Sequence, residues 1–261
     1  MPSEIFKAYD IRGIYGKYLT DKIAYKIGRA FVDFLNCKKV IIGHDMRPSS
    51  EKIVKAFTEG ANEQGADIIS IGLVSTDAVY FASGKLNLPA VMITASHNPS
   101  EWNGIKFCRE SAVPINYDTG LKAIKNIIIK NKYKKPDKKG KLIEKDILQD
   151  YIKHVHSFVD GNAIKNLKIA VDAGNGMAGK IIPLVFKNLN VKISPLYFEL
   201  DGNFPNHLAD PSKFENLKDL QKKVKKERAD FGMAFDGDAD RIFFIDEKGE
   251  IINASLISCL I

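Results

Sequence analysis

The sequence predicts an α/β protein organised as two consecutive layered domains. Two observations carry that prediction. Short apolar runs of strand length alternate with longer stretches whose apolar residues recur at helical spacing. The same alternation then restarts at Leu167, after a lysine-rich segment punctuated by proline and glycine. The 261 residues suffice for one large domain or two of ordinary size. Hydrophobic content of 45% and charged content of 27% are those of a soluble globular chain.

After a loop around Asp10-Ile11-Arg12-Gly13, Thr20 caps a helix whose residues Ile23, Ala24, Ile27, Ala30, Phe31 and Phe34 share one face, ending near Asn36. Lys39 to Gly43 reads as a strand, and Asp45-Met46-Arg47-Pro48-Ser49-Ser50 as a turn into a helix reaching about Asn62. A strand over Asp67 to Ile71, a helix from Ser75 and a buried strand over Pro89 to Thr94 follow. Weaker patterns come next: a strand near Gly104 to Cys108, an edge piece over Val113 to Ile115, and a helix over Thr119 to Lys130. NKYKKPDKKGK reads as a linker and a poor place for buried structure. A helix over Lys145 to Val159 leads into the second half.

There Leu167 to Val171 is a buried strand running into Asp172-Ala173-Gly174-Asn175-Gly176-Met177-Ala178-Gly179 and a helix. A strand near Val191 to Tyr197, a turn-rich loop FELDGNFPNHLADPSKFEN, and a helix opened by a Ser212/Glu215 capping box complete the unit's first part. Ala229 to Phe235 is a further strand, followed by DGDADR, IFFID and a turn at Gly249. The tail from Ala254 to Ile261 begins an apolar helix that stops, so truncation is expected.

Charge and cysteine usage narrow the function. The net charge of +7 is mostly lysine, since arginine occurs only at 12, 29, 47, 109, 228 and 241. The basic stretches Lys130 to Lys145 and Lys222 to Arg228 lack interleaved aromatics that would stack bases, so no nucleic-acid partner is expected. No basic segment leads into an apolar one and no apolar run nears the ~20 residues of a membrane span. A cytoplasmic protein without membrane association is expected. Cys37, Cys108 and Cys259 are widely spaced, which fits neither a disulfide framework nor a zinc cluster, and they are expected reduced and buried.

Three stretches bear chemistry. In VMITASHNPSEWNGIKF, residues 91–107, a strand delivers the Ser96 hydroxyl to a rigid polar loop; a capping serine in a βα connection is the ordinary alternative. In AFDGDADRIFFID, Asp236, Asp238 and Asp240 repel one another unless a cation neutralises them, and hard oxygen ligands favour magnesium. An EF-hand fits the spacing up to Glu247, but Arg241 stands where glycine is required and the flanks read as strands; a solvated acidic turn is the plain alternative. Gly174, Gly176 and Gly179 match a dinucleotide fingerprint in the required strand-to-helix context, though Glu199 or Asp201 would serve as the following acid only by lying at about the right distance, and a tight-turn role competes. Were Ser96 phosphorylated, one phosphate oxygen would complete the magnesium site, and Lys106, Arg12 and Arg241 would neutralise the others.

TASHNP with NGIKF, the early YDIRG, GHDMR, DAGNGMAG, DGNFPNHLADP and DGDADR, in this order, resemble the α-D-phosphohexomutases, the phosphoglucomutase and phosphomannomutase superfamily, over essentially the whole chain. The resemblance implies two three-layer α/β/α domains with mixed sheets, at 1–145 (phosphoserine loop) and 150–250 (metal loop), with 251–261 as the incomplete start of a third. It implies an enzyme that interconverts hexose 1-phosphate and 6-phosphate through a phosphoserine and a bisphosphorylated sugar, with one magnesium per site. Ser96 would be the phosphoserine, and Asp236, Asp238 and Asp240 the metal ligands together with the serine phosphate. His97, Lys106, Arg12 and Arg241 would line the phosphate as charge neutralisers or proton carriers, and the glycine loop would be a structural turn. Members resemble four-domain chains nearly twice this length, whose third and fourth domains read the sugar and grip the non-reacting phosphate. Asn253-Ala254 also departs from the Gly-Asp pair such proteins tend to carry. The leading expectation is therefore the catalytic half of a phosphohexomutase, acting on a phosphorylated hexose when a separate chain supplies domains III and IV. A stand-alone magnesium-dependent phosphoryl-transfer or phosphatase module and a non-catalytic remnant or binding subunit are the alternatives.

Overall fold

The computed structural model describes residues 3–260. Its contacts divide the chain into two units: Met1–Ala95 with Ser100–Leu148, and Gln149–Ile261 with the tetrapeptide Ser96–Pro99. Both are α/β, as the alternating pattern predicts, with the mixed sheets that the resemblance implies.

The first unit carries a six-stranded sheet in the order β1 (Ile11–Ile14), β5 (Trp102–Cys108), β4 (Ala90–Ile93), β2 (Lys39–His44), β3 (Asp67–Leu73), β6 (Leu142–Glu144). Strands β4, β2, β3 and β6 run parallel, while β5 is antiparallel to both β4 and β1. Helices α1 (Asp21–Leu35), α2 (Ser50–Glu63) and α4 (Lys122–Lys130) share a core with one face of this sheet, in which the Phe31 ring lies 5.1 Å from Phe107 and 6.1 Å from Phe57. Alternation along β2 sends Val40 and Ile42 into that core. Gly43 faces the other side, where a Cβ would meet Val79 of α3 (Thr76–Leu86) at 2.7 Å. Helix α1 starts as predicted, with Thr20 Oγ1 accepting from the Ile23 amide at 3.3 Å. It crosses α2 at two glycines: a Cβ on Gly28 would lie 2.2 Å from the Phe57 carbonyl oxygen, and one on Gly60 2.0 Å from that of Tyr25. Only glycine permits that approach.

The second unit has a four-stranded sheet, β10 (Ile242–Ile245), β9 (Phe231–Phe235), β7 (Leu167–Asp172), β8 (Val191–Leu196), with β10 antiparallel. Helix α7 (Lys218–Glu227) packs Leu220 and Val224 against Ala170, Ala234 and Ile245, and α6 (Ala178–Phe186) packs Ala178 and Ile182 against Ile169, Val171 and Met233. The helix before them, α5 (Leu148–His156), is shorter than predicted, and α8 (Ala254–Leu260) follows β10. Ile261, the end of the predicted terminal helix, lies outside the described residues. No helix among the described residues is long and apolar enough to cross a membrane.

Several expectations are corrected. The loop predicted at Asp10 to Gly13 is an edge strand, because Ile11 to Ile14 pair with Ile105 to Trp102 of β5. NKYKKPDKKGK lacks regular structure but is no free linker. Arg29 stacks on the Tyr133 ring at 4.1 Å, Gln64 Nε2 donates to the Lys134 carbonyl at 2.6 Å, and the Lys134 amide donates to Asp33 Oδ1 at 3.1 Å. The Gly140 amide reaches the Asn62 carbonyl at 2.8 Å, and the chain then adds β6 beside β3. The Ser212/Glu215 capping box does not form: Ser212 Oγ donates to Asp210 Oδ1 at 2.6 Å, a shorter-range partner, and a 3₁₀ turn at Phe214–Leu217 precedes α7. The helix expected from Thr119 opens instead with a π turn, Tyr117–Leu121, capped by Asn116. Of the cysteines expected buried, only Cys108 is; Cys37 is half-buried and Cys259 exposed.

Candidate active site

Strand β9 ends at Phe235, and the next six residues bend back into β10. The bend is closed on Asp236. Its amide donates to the Arg241 carbonyl at 3.2 Å, and its Oδ1 accepts the amides of Asp240 and Arg241, each at 3.1 Å. One carboxylate oxygen therefore serves the loop's own backbone, leaving Oδ2 for outside partners. The carboxylate oxygens of Asp236, Asp238 and Asp240 lie within 4.8 Å of one another, with the first two residues buried and the third exposed.

Asp236 Oδ2 is met by the tetrapeptide Ser96–Pro99, which belongs to this unit by its contacts. Ser96 Oγ donates to Asp236 Oδ2 at 2.5 Å and accepts from Arg241 Nη2 at 2.5 Å. The Arg241 guanidinium also holds Asp236 through Nε at 2.9 Å and reaches His97 Nδ1, which itself lies 3.3 Å from Ser96 Oγ. Ser96 has φ +53°, the left-handed region, which costs a non-glycine residue about 1–2 kcal/mol. Such a conformation persists only where surrounding structure dictates it. The result is a buried hydroxyl with one carboxylate to take its proton and one guanidinium beside its oxygen, the arrangement of an activated oxygen nucleophile.

Burial, followed by the charges of Asp238 and Asp240, raises the Asp236 carboxyl from its ordinary value to about 7, against the opposing pull of Ser96 and Arg241. Like charges in a low-dielectric loop favour either a proton or a cation. Three carboxylates and a serine oxygen make an all-oxygen donor set suited to a hard divalent cation.

The glycine loop after β7 lies against the aspartate loop. The Met177 amide donates to the Gly237 carbonyl at 2.9 Å, and a Cβ on Gly176 would sit 2.8 Å from that same oxygen. The amides of Gly174, Asn175 and Gly176 are also taken, by Asp172 Oδ1 at 2.9 Å, the Tyr197 carbonyl at 2.8 Å and the Ala173 carbonyl at 2.7 Å. A phosphate cradle needs such amides to be available. All four serve the protein, which excludes the dinucleotide alternative and leaves the structural turn. Asp172 Oδ2 lies 3.0 Å from His207 Nε2, while His207 Nδ1 faces the Leu208 carbonyl at 2.8 Å. With an acceptor on each nitrogen, the imidazolium is favoured. Burial opposes the charge, but the Asp172 carboxylate and the Leu208 carbonyl outweigh it and raise the pKa.

Six of the predicted site residues are thus gathered in one unit: Ser96, His97, Asp236, Asp238, Asp240 and Arg241. Arg12 and Lys106 belong to the sheet of the first unit. Pairing of Arg12 with Gly104 sets Arg12 and Lys106 on one face as diagonal neighbours, opposite the face that Ile11, Ile93 and Ile105 turn to the core. Arg12 is ion-paired with Asp10. Sequence reasoning missed the Asp172–His207 pair. Thirty-five residues separate its members, and no local spacing signals them.

The chain matches two family models, described as phosphoglucomutase/phosphomannomutase alpha/beta/alpha domain I over residues 3–135 and domain II over residues 149–249. It is 38% identical over 263 residues to a phosphomannomutase of Vibrio cholerae, with 97% of this chain and 57% of that protein covered. It is 40% identical over 248 residues to a protein named phosphohexose mutases of Xanthomonas campestris, covering 95% and 55%. Among solved structures, a phosphoglucomutase/phosphomannomutase family protein of Burkholderia thailandensis superposes with a TM-score of 0.87 at 34% identity, covering 95% of this chain and 56% of that one. The chain spans somewhat over half the length of these relatives.

Proposed function

We propose, since the chain belongs to the phosphoglucomutase/phosphomannomutase family, that it is the phosphoryl-carrying half of a phosphohexomutase. On this reading it interconverts hexose 1-phosphate and 6-phosphate through phosphorylated Ser96 and a bisphosphorylated sugar, in the cytoplasm, once a complementary C-terminal half supplies the remaining domains. The observation that carries the reading is the Ser96 hydroxyl, 2.5 Å from Asp236 and 2.5 Å from Arg241 within a cluster of three aspartates. Residues 1–145 form the domain of the phosphoserine loop, 150–250 that of the metal loop, and 251–261 the start of a third.

Asp236, Asp238 and Asp240, with an oxygen on Ser96, would hold one magnesium ion. Bound there, magnesium supplies positive charge that stabilises the negative charge of a transferring phosphoryl group. In the transfer, the bond from phosphorus to Ser96 Oγ breaks as a bond to a sugar hydroxyl oxygen forms. The hydroxyl proton leaves to a carrier, the role assigned to His97 or Lys106. The released Ser96 oxygen takes that proton from the carrier and regains its hydrogen bond to Asp236. Arg241 and Arg12 neutralise phosphate oxygens, a task for which a permanently charged guanidinium is suited.

The test is intact mass after incubation with glucose 1,6-bisphosphate and magnesium. The chain is expected to gain one phosphate on Ser96, and Ser96→Ala to gain none. A wild-type chain that is never phosphorylated overturns the reading. Coupled assays with glucose 1-phosphate and mannose 1-phosphate are expected to show turnover only with a complementary C-terminal chain added, and release of inorganic phosphate by this chain alone would favour a phosphatase instead.

A further inference from the structure

The segment 95–101 that carries Ser96 leaves β4 and returns into β5, and a single buried polar cluster in the first unit grips both of its ends. We propose that Asp45, Arg47 and Asn103 are positioning residues for Ser96, holding the two ends of this segment so that its tip keeps the left-handed backbone at the serine. The proposal rests on the reading of Ser96 given above.

At the incoming end, the Asp45 amide donates to the Ile93 carbonyl at 3.0 Å, and the Thr94 side chain hydrogen-bonds the Asp45 carboxylate. At the outgoing end, Arg47 Nη1 donates to the Trp102 carbonyl at 3.0 Å, and Asn103 Nδ2 donates to Ser49 Oγ at 2.8 Å and Ser50 Oγ at 3.0 Å. The two grips are one network. Ser50 Oγ donates to Asp45 Oδ1 at 2.6 Å, and Arg47 Nε lies 3.3 Å from Asp45 Oδ2. Between the ends, the Thr94 amide donates to the Gly104 carbonyl at 3.1 Å, and Asn103 Oδ1 accepts the Gly104 amide at 2.8 Å.

Asp45, Arg47 and Asn103 are 1%, 2% and 0% exposed. A buried ion pair is a poor stabiliser, because desolvation cancels most of its attraction and apolar residues of like volume do as well or better. What a charged, hydrogen-bonded cluster adds is direction: each bond fixes an angle that apolar packing leaves loose. This cluster spends that directionality on the two residues preceding and the three residues following the Ser96 segment.

The experiment compares wild type with Asn103→Ala. Hydrogen exchange of the amides in 95–101 reads the grip directly, and the rate of phosphate uptake from saturating glucose 1,6-bisphosphate reads its consequence. Expected are exchange on the order of tenfold faster in 95–101 but not in β7, and uptake slowed roughly 10- to 100-fold, as small misplacements of a reacting group cost. Exchange in β7 is expected to stay at the wild-type rate, because that strand is held by its own core; a general loss of structure would raise it as well. If Asn103→Ala fails to fold, the double variant Asp45→Asn with Arg47→Met, which leaves no buried charge unpaired, serves the same comparison. Wild-type exchange across 95–101 in a folded variant overturns the clamp. A wild-type chain that accepts no phosphate overturns the reading of Ser96 instead, and the exchange contrast still decides the clamp.

Discussion

At the residue scale, the aspartate loop is built around one side chain. Asp236 closes the loop, taking the backbone amides of Asp240 and Arg241 on Oδ1, and holds Ser96 on Oδ2. Asp238→Asn is therefore expected to keep the loop and weaken magnesium binding by at least about tenfold, the smaller end of what even outer partners of a metal site cost; an unchanged affinity by calorimetry refutes the metal assignment. Gly176→Ala should act on the same loop from below. Its Cβ would press on the Gly237 carbonyl, and overpacking of this kind costs about 1–3 kcal/mol. Denaturant unfolding would show the loss, and magnesium affinity should fall with it. His207 adds a pH dependence. Its folded pKa lies above the ordinary value near 6.5, so its contribution is fully present below that pH and is lost as pH rises through the raised value. His207→Gln should thus lower the unfolding midpoint by about 2–4 °C at pH 6, the shift that 1 kcal/mol brings in a chain of this size. The gap should narrow by pH 9, and a gap that widens instead would contradict the Asp172–His207 pairing.

At the element scale, the strands and helices that the sequence marks most clearly are those whose own residues carry the signal. Thr20 and the 3.6-residue spacing behind it announce α1, and the run from Leu167 announces β7. Where a partner far along the chain decides the outcome, local reading fails. Ile11 to Ile14 become a strand only because β5 offers an edge, and the Ser212 hydroxyl is captured by Asp210 before it can cap. The lysine-rich strap is the fullest case, since its composition argues for solvent while Arg29, Asp33, Asn62 and Gln64 hold it down. A prediction belongs here. Gln64→Ala with Asp33→Ala should raise the rate of tryptic cleavage within 132–141 by roughly 5- to 30-fold, the population change that 1–2 kcal/mol of lost anchoring gives. Equal cleavage rates would mean the strap is held by something else.

At the scale of the whole molecule, each unit closes its own core around its own sheet, and six of the eight residues legible as site candidates fall together in the second. The triad was legible because its three carboxylates sit within five residues, and Ser96 because turn chemistry isolates it. Arg12 and Lys106 were legible by their charge and by the YDIRG and NGIKF motifs that hold them. One feature of the finished site bears on how it comes to be made. Arg241 lies 2.8 Å from Asp236 and also contacts Ser96, so the second unit carries a built-in counterion for its crowded carboxylates. A newly synthesised chain can therefore complete this unit where metal is scarce; on the reading proposed above it would load the cation afterwards, folding first and maturing second. Arg241→Ala should reverse the order of biogenesis. Its refolding yield in chelator is expected to drop below that of the wild type and to recover when magnesium is added back.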